Sequence, residues 1–505
     1  GNLIESTTCK GGTPYTTTYQ YSNFGKISSV TQPYEVDGNL TTTKKIMQYD
    51  TLGNLLYVQN LMDTPNDTSD DICELYSYNI ASLRVEEQCR QRYNGNEAIT
   101  TYIDYDENGN VTSKIDGNEV ETIYEYDELN RMISSSVTVD GVLQTTTHDY
   151  DLNGNLIRTK DWRGNVTQFK YDPMNRVYEK TDAKGVAFEK LEYNDKNQQV
   201  KSYDAYNRLT TFEYDANGRL VCTTDPEDDT QTQEYDNMGN VRAKHDGRGY
   251  ETSYTYDILG RLTEVYNEGT LKSSYSYYID GTLKEQDLGG FVTTYYYNPS
   301  GNLKKVCDPN GIGVASKTET YEYTPAGLLK EKTDRKGNTT TYTYDCHGRL
   351  KQQITEGNNK SITITISPSE TDIGYDGNGN IKRITVENKK NGVVQSTITT
   401  ERTFDELNRV ETKKETTVED GITTVVGPVV YNYDITTGVG EIKEESVYPG
   451  SRTVEKVYDT VGRLKTVTAD GETTEYEYYD DGRRQSVTYN GDFRQVYTYN
   501  DKGLL

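Results

Sequence analysis

The chain has 505 residues, 80 of them acidic and 54 basic, and a formal net charge of −26. Its strongest bias is towards tyrosine, with 46 tyrosines beside seven phenylalanines and one tryptophan. Disordered chains are poor in aromatic residues, so this composition predicts a folded protein. The acidic balance argues against a nucleic-acid partner, because nucleic-acid binding rests on Lys and Arg. No run of 18 apolar residues occurs, so no membrane insertion is expected.

Six cysteines and three histidines are scattered along the chain. The absence of a C-x-x-C pair and the scarcity of histidine give no zinc motif, and we expect no cofactor and no metal. The wide dispersal of the cysteines excludes a disulfide scaffold. The spacing does not exclude a single disulfide bond between Cys73 and Cys89.

A heptad of the form YDxxGRL organises the sequence. In chain order its clearest copies are YDTLGNL (49–55), YDENGNV (105–111), YDELNRM (126–132), YDLNGNL (150–156), YDPMNRV (171–177), YDANGRL (214–220), YDNMGNV (235–241), YDILGRL (256–262), YNPSGNL (297–303), YDCHGRL (344–350), YDGNGNI (375–381), FDELNRV (404–410) and YDTVGRL (458–464). Copies follow one another every 21 to 24 residues from Tyr105 to Tyr278. A fixed period of this length indicates a repeat architecture.

A second turn signal follows eleven residues after the repeat tyrosine. It is an aspartate, commonly with a glycine within three residues, as in Asp161–Gly164 and Asp182–Gly185. Between the two turns lie short segments rich in Thr, Tyr, Val and Ile, with tyrosines two apart such as Tyr124 and Tyr126. Alternation with period two predicts β-strands. Each repeat is therefore predicted to be a β-hairpin.

We predict a structural role for the recurring positions of the heptad, namely the tyrosine, the aspartate and the Gly or Asn in fifth place. The tyrosine ends a strand and packs against neighbouring repeats, the aspartate accepts backbone N–H groups two residues on, and Gly or Asn in fifth place supplies a positive φ. The residues selected as representatives of these roles are Tyr126, Asp127, Tyr171, Asp172, Tyr214, Asp215, Gly218, Tyr256, Asp257, Gly260, Tyr344, Asp345 and Gly348.

A lone hairpin leaves both edges unpaired and buries too little surface to be stable. Pairing of every hairpin with its neighbours predicts an all-β fold, one continuous sheet that twists into a spiral. We expect residues 1–505 to form a single repeat array that is an excerpt of a longer protein. Within it, residues 345–457 form lengthened repeats with protruding hairpins, because Asn391-Gly392 and Asp420-Gly421 are strong hairpin signals.

The heptad, its period and its trailing aspartate resemble the Rhs/YD-repeat family over nearly the whole chain. This family includes bacterial Rhs polymorphic toxins, cocoon-forming components of insecticidal toxin complexes, wall-associated surface proteins and animal teneurins. The resemblance implies a long β-strip around a hollow, which in the toxins holds a C-terminal effector. The sequence lacks the DPxG-type core module with which such toxin shells close, so no self-cleaving aspartate is assigned.

The histidines and the acidic turns are the candidates for catalysis or metal binding. His148, His245 and His347 each occupy a repeat position without a nucleophile motif nearby, so no catalytic residue is assigned and no enzymatic activity is expected. Asp376, Asn378, Asn380 and Glu387 match four positions of a calcium loop, but Ile381 stands where glycine is needed, so a structural turn is favoured.

Tyrosine rows at strand spacing are usually packing, but exposed aromatic rings also stack on sugars. Trp162, in a turn, is the candidate glycan contact. The sequence therefore predicts a structural scaffold, part of a secreted or surface-displayed bacterial protein, which encloses or presents its own C-terminal effector segment. The alternative is a cell-surface adhesion module that binds carbohydrate or a receptor. A monomer is expected.

Overall fold

The structure is a computed structural model that describes residues 2–10, 13–36, 39–61, 71–79, 84–92, 95, 97–308, 318–369, 374–438, 441–479 and 482–499. These residues form strands and turns and contain no helix. Accordingly, the described part of the chain has no helix with the length and apolar character to span a membrane.

The strands of the first half are short and follow one another through tight turns. They are β1 (Glu5–Lys10), β2 (Thr13–Tyr21), β3 (Ile27–Val36), β4 (Asn39–Tyr49), β5 (Leu55–Leu61), β6 (Ile72–Tyr78), β7 (Val85–Arg92), β8 (Ile99–Tyr105), β9 (Val111–Ile115), β10 (Glu121–Tyr126), β11 (Met132–Val139), β12 (Val142–Tyr150), β13 (Leu156–Lys160), β14 (Val166–Tyr171), β15 (Val177–Thr181), β16 (Ala187–Tyr193), β17 (Gln199–Asp204), β18 (Leu209–Tyr214), β19 (Leu220–Thr224), β20 (Thr230–Tyr235) and β21 (Val241–His245).

The second half continues this pattern and contains the longest strands. They are β22 (Glu251–Tyr256), β23 (Leu262–Asn267), β24 (Thr270–Tyr277), β25 (Leu283–Asp287), β26 (Val292–Tyr297), β27 (Leu303–Cys307), β28 (Thr318–Tyr323), β29 (Leu329–Thr333), β30 (Thr339–Tyr344), β31 (Leu350–Gly357), β32 (Lys360–Thr365), β33 (Arg383–Lys390), β34 (Val393–Phe404), β35 (Val410–Glu419), β36 (Ile422–Gly438), β37 (Glu441–Tyr448), β38 (Arg452–Tyr458), β39 (Leu464–Ala469), β40 (Glu472–Tyr478), β41 (Arg484–Tyr489) and β42 (Phe493–Val496).

All 42 strands of the described residues belong to one sheet, which confirms the predicted all-β fold with a continuous sheet. Pairing is antiparallel and sequential, as in β13 with β14 and β14 with β15. The chain divides into two compact units. Unit 1 has a first run, Gly1–Thr122, and a second run, Ser273–Arg409, with Lys413–Val426; unit 2 has a first run, Ile123–Lys272, and a second run, Gly427–Leu505, with Val410–Thr412.

Heptads that connect two strands make a hairpin turn with a bulge at the tyrosine, as in β14–β15, β18–β19 and β20–β21. In β18 and β19, Glu213 opposes Cys222 while Tyr214 opposes Leu220, so one residue of the returning strand has no partner. The fifth heptad residue has a positive φ, 84° at Gly218. A turn followed by a left-handed residue and a bulge is a common hairpin geometry, and it explains why Gly or Asn recurs there.

The 46 tyrosines suggest an interior built largely from tyrosine rings, but the structure differs. Most tyrosines are half-buried, and only Tyr34 and Tyr375 fall in the fully buried class of the described residues. The side chains with the least exposure include Asp71, Cys73 and Cys346. A single antiparallel sheet covers only part of each ring, because strand neighbours shield the ring edges and not its whole face. All six cysteines are free thiols, so Cys73 and Cys89 form no bridge.

Candidate functional site

The heptad turn is closed by its aspartate. In the turn that begins at Asp127, carboxylate Oδ1 accepts the backbone N–H groups of Leu129 at 2.9 Å and Arg131 at 3.0 Å. Oδ2 accepts Arg131 Nε at 2.7 Å. Asn130, in fifth place, has φ +60° and donates its N–H to the Asp127 carbonyl. One carboxylate thus satisfies three donors and orients the arginine.

The same geometry recurs at the other representative turns. The Oδ1 atom of Asp172, Asp215, Asp257 and Asp345 accepts the N–H groups two and four residues on. The glycines in fifth place have left-handed φ values and donate to the carbonyl of their turn aspartate: Gly218 (84°), Gly260 (76°) and Gly348 (77°).

The hydrogen bonds of these turns favour the ionised carboxylate. The Arg131 side chain holds the pKa of Asp127 below its ordinary value, with help from the Arg131 backbone N–H, and opposing desolvation is weaker. For Asp215 and Asp257 the backbone N–H groups of Arg219 and Arg261 lead in lowering the pKa. Charge-assisted hydrogen bonds of this kind are stronger than neutral ones. The turns are therefore built around a charged aspartate.

Repeat tyrosines connect consecutive heptads through their hydroxyl groups. Tyr171 donates to the carbonyl of Leu156, the seventh residue of the preceding heptad, at 2.8 Å. This bond recurs from Tyr214 to Gln199 (2.8 Å), Tyr256 to Val241 (2.9 Å) and Tyr344 to Leu329 (2.8 Å). We call this series the tyrosine ladder. Tyr126, the remaining representative, ends β10 and is half-buried.

The arginine in sixth place forms a second connection that the sequence analysis missed. The Arg131 guanidinium lies 4.8 Å from the ring centroid of Tyr150, and its Nη1 donates to the Asp151 carbonyl at 2.9 Å. Arg176 and Arg219 lie similarly over the rings of Tyr193 and Tyr235. A guanidinium over an aromatic face is attracted by the ring quadrupole. The sequence signal for this connection is that the clearest heptad copies with Arg in sixth place also have Asp in second place.

Removing one hydroxyl of the tyrosine ladder leaves a backbone carbonyl without its donor. We expect Tyr171→Phe to lower the free energy of unfolding of its repeats by about 1 kcal/mol. Tyr178→Phe is the matched control, because Tyr178 lies on β15 with a 39% exposed side chain. Hydrogen exchange of the amides in β13 to β16 measures the effect. Equal protection in both variants would contradict a stabilising ladder.

A turn aspartate matters most where its side chain is buried. Asp405 is 6% exposed and pairs with Arg409 Nε at 2.7 Å, whereas Asp246 is 41% exposed. We expect Asp405→Ala to lower the free energy of unfolding by about 2–3 kcal/mol, because it leaves the partly buried guanidinium of Arg409 without its carboxylate partner. We expect Asp246→Ala to cost about 1 kcal/mol through the lost turn hydrogen bonds. Urea unfolding followed by circular dichroism compares the two, and the reverse order would contradict this role.

Within unit 1, two turns with the same sequence bind each other. Residues 116–118 of the first run and 376–378 of the second are both Asp-Gly-Asn, and we call their contact the Asp-Gly-Asn clasp. Its hydrogen bonds run from Asn118 Nδ2 to Asp376 Oδ2 (3.0 Å), from Asn378 Nδ2 to Asp116 Oδ2 (2.7 Å) and from Gly377 N to Asn118 Oδ1 (2.7 Å). The two runs of unit 1 are thus joined reciprocally.

Within unit 2, the two runs also meet turn to turn. At three successive repeats a turn of the first run contacts the second run, once at Asp434 in β36 and twice at a heptad turn. The contacts are Arg163 with Asp434 (3.3 Å), Lys184 with Asp459 (3.3 Å) and the edge-to-face rings of Tyr206 and Tyr479 (centroids 6.3 Å apart). Ionic and aromatic side chains therefore join runs that are far apart in sequence.

The histidines lie among hydroxyl, thiol and backbone partners. His148 Nδ1 lies 3.2 Å from Thr159 Oγ1, and His245 Nδ1 lies 3.4 Å from Thr232 Oγ1. His347 lies beside Cys346 and the Arg90 carbonyl. Thr232 and His245 also line a shallow cleft with Cys222 and Lys244.

The candidate calcium residues form a turn. Asp376 Oδ1 accepts the N–H groups of Asn378 and Asn380, and Oδ2 accepts Asn380 Nδ2 at 2.8 Å. Glu387 lies on β33 and pairs with Lys389 Nζ at 2.5 Å. The amide groups of the two asparagines are thus engaged as hydrogen-bond donors.

Trp162 is half-buried in the turn after β13. The guanidinium of Arg163 lies 4.6 Å from its ring centroid, and Arg163 also pairs with Asp434. The ring therefore lies next to the contact between the two runs of unit 2. A sugar stacked on Trp162 would share the indole ring with the Arg163 guanidinium.

These turns and connections define a tandem β-hairpin repeat protein in which aspartate closes each turn and tyrosine links each repeat to the previous one. The RHS Repeat family model matches residues 105–143, 150–187, 214–249, 235–271 and 323–360. The chain therefore contains RHS repeats, and the matched ranges cover about a third of its length.

Solved structures similar to this chain include several Tc toxin structures. A TcdB2-TccC3 complex shares 15% identity and a TM-score of 0.45 over 94% of this chain and 31% of that one. A TcdB2-TccC3-Cdc42 structure gives 14% identity and a TM-score of 0.44 over 94% and 31%. The Photorhabdus luminescens Tc holotoxin pore gives 15% and 0.39 over 95% and 28%. The chain thus spans about a third of the chains it matches. No curated protein matches the sequence.

Proposed function

We propose that this RHS-repeat scaffold is non-enzymatic and encloses or presents a polypeptide segment of the same gene product, a C-terminal effector. The observation that carries the proposal is that contacts at the turns join distant runs within each unit. A wall that carries protected or displayed cargo has to hold its own repeats together without the cargo. Sequential pairing alone gives only nearest-neighbour stability, and these contacts add long-range connections.

Three further expectations belong to this proposal. Residues 1–505 act as one repeat array, and the lengthened repeats of 345–457 project hairpins from it. The parent protein is secreted or displayed on a bacterial surface as a monomer. The acidic balance of the chain favours basic cargo, because complementary charge steers association.

Limited proteolysis of the complete gene product tests enclosure. Its encoded segments outside residues 1–505 are identified by mass spectrometry, and each is also expressed alone as a control. Enclosure predicts that one such segment is cleaved much more slowly in the complete product than alone. Equal cleavage rates, or a gene product with no segment outside these residues, would contradict the proposal.

The alternative is adhesion to carbohydrate or to a cell-surface receptor. The half-buried tyrosine faces and Trp162 support it, because aromatic rings stack on apolar sugar faces. Glycan-array binding that is lost in Trp162→Ala and kept in Tyr178→Phe would favour adhesion. Absence of binding by the unmodified chain would remove the carbohydrate form of this alternative.

A further inference from the structure

Three different metal-ligand side chains meet where the two runs of unit 1 touch. Glu97 lies in the connection between β7 and β8, and Cys346 and His347 are the third and fourth residues of heptad 344–350. One ligand atom of each lies within 4.8 Å of the others. The third heptad residue is exposed at Leu152 and Ile258, whereas Cys346 is fully buried.

His347 has the orientation of a metal ligand. Its Nε2 lies 3.2 Å from the backbone carbonyl oxygen of Arg90. When Nε2 carries the proton and donates it to this carbonyl, Nδ1 presents its lone pair 3.2 Å from Cys346 Sγ. Metal-binding histidines commonly donate their other ring N–H to a backbone carbonyl, which fixes the tautomer. The imidazole nitrogen and the thiol sulfur therefore face the same point.

Glu97 is held by its own partners. Its side chain is 2% exposed, Oε2 accepts the Cys346 N–H at 3.0 Å, and Oε1 lies 3.2 Å from Arg92 Nε and 4.0 Å from Lys351 Nζ. A carboxylate has about four lone-pair directions, so these contacts leave acceptor capacity. The positive charges of Arg92 and Lys351 repel a metal cation. A thiolate formed at Cys346 offsets part of this repulsion.

We propose that Glu97, Cys346 and His347 form a zinc site that joins the two runs of unit 1. Thiolate, imidazole and carboxylate are the ligands of Zn²⁺, whereas Ca²⁺ and Mg²⁺ prefer oxygen alone. Binding would form Zn–S, Zn–N and Zn–O bonds, release the Cys346 thiol proton to solvent and leave a fourth position for water. Sequence spacing did not indicate this site, because Glu97 lies 249 residues from Cys346.

Titration of the chelator-treated chain with Zn²⁺ by calorimetry, and with Co²⁺ by absorbance, tests the site. We expect a single Zn²⁺ per chain, a thiolate-to-cobalt charge-transfer band and a higher melting temperature with Zn²⁺. Cys346→Ser should abolish the band. His347→Gln keeps the thiol and should weaken Zn²⁺ binding by at least about tenfold.

Cys307→Ser is the matched control, because Cys307 is another buried thiol of unit 1, 3.8 Å from Thr318 Oγ1 and outside the cluster. It should leave the band and the affinity unchanged. Circular dichroism without metal verifies the fold of each variant, and His347→Gln decides the matter if Cys346→Ser does not fold. The proposal is overturned if the unmodified chain gives no thiolate band, if the band survives in folded Cys346→Ser, or if His347→Gln binds Zn²⁺ as tightly as the unmodified chain.

Discussion

Gly377→Ala is expected to destabilise unit 1 by about 2–3 kcal/mol. A Cβ at position 377 would overlap the carbonyl oxygen of Gly117, a backbone atom across the Asp-Gly-Asn clasp. Backbone cannot rotate away as a flexible side chain does, so the two turns have to separate and their mutual hydrogen bonds are lost. Differential scanning calorimetry, with hydrogen exchange at residues 116–118, measures the change.

Gly247→Ala is the matched control for this effect. Gly247 also follows a turn aspartate, but the nearest atom to its added Cβ is Asp229 Cβ at 3.2 Å, a contact that a shift of a few tenths of an ångström relieves. We expect a change within about 0.5 kcal/mol there. Gly117→Ala should resemble Gly377→Ala, and the double variant should cost less than the sum, because contacting residues are not additive. Equal effects of Gly377→Ala and Gly247→Ala would show that the clasp adds no stability.

The second large effect is unfolding at alkaline pH. Burial raises the pKa of the ladder tyrosines Tyr171, Tyr256 and Tyr344 above the ordinary value of 10.0. Burial, followed by a hydrogen bond to a glutamate, raises the pKa of Tyr321 and Tyr458 to about 12. The folded chain therefore keeps phenolic protons that the unfolded chain releases.

The sign of the pH dependence follows directly from this difference. Stability from a group whose pKa is raised on folding is complete below the unfolded pKa and is lost as pH rises through the folded pKa. We expect stability to be unaffected by these groups below pH 10 and to fall between pH 10 and about 12. Many repeats contribute, so the sheet should be lost cooperatively.

Parallel titrations check this expectation. Tyrosinate absorbance and the β-sheet circular dichroism signal should change together, at a higher pH than tyrosinate formation in the urea-unfolded chain. Tyrosines that ionise near pH 10 while the sheet signal stays constant would show that the phenols are not part of the folded interior.

Much of the fold follows from short-range signals in the sequence. The heptad 126–132 places an aspartate, an asparagine with positive φ and a returning apolar residue at hairpin spacing, and the turn at Asp127 has this geometry. The strand segments follow from period-two alternation, and edge pairing requires the hairpins to join. These features depend on neighbouring residues, which is why pattern alone predicts them.

The long-range contacts could not be predicted in this way. Asn118 contacts Asp376 across 258 residues, so their contact depends on the accumulated twist and coiling of many strands. The buried state of Cys346 has the same origin, because the third heptad residue is exposed in repeats without such a contact, as at Leu152 and Ile258. The bond from the Tyr171 hydroxyl to the Leu156 carbonyl was also not predicted, because strand alternation fixes the face on which a ring lies and not the partner of its hydroxyl.

An experimental density map at a resolution that shows tyrosine hydroxyls tests the central claim most directly. The account predicts that Tyr171, Tyr256 and Tyr344 each lie within hydrogen-bonding distance of the carbonyl of the seventh residue of the preceding heptad, in strands that pair sequentially. Hydroxyls that point to solvent, or consecutive hairpins that do not pair, would contradict it.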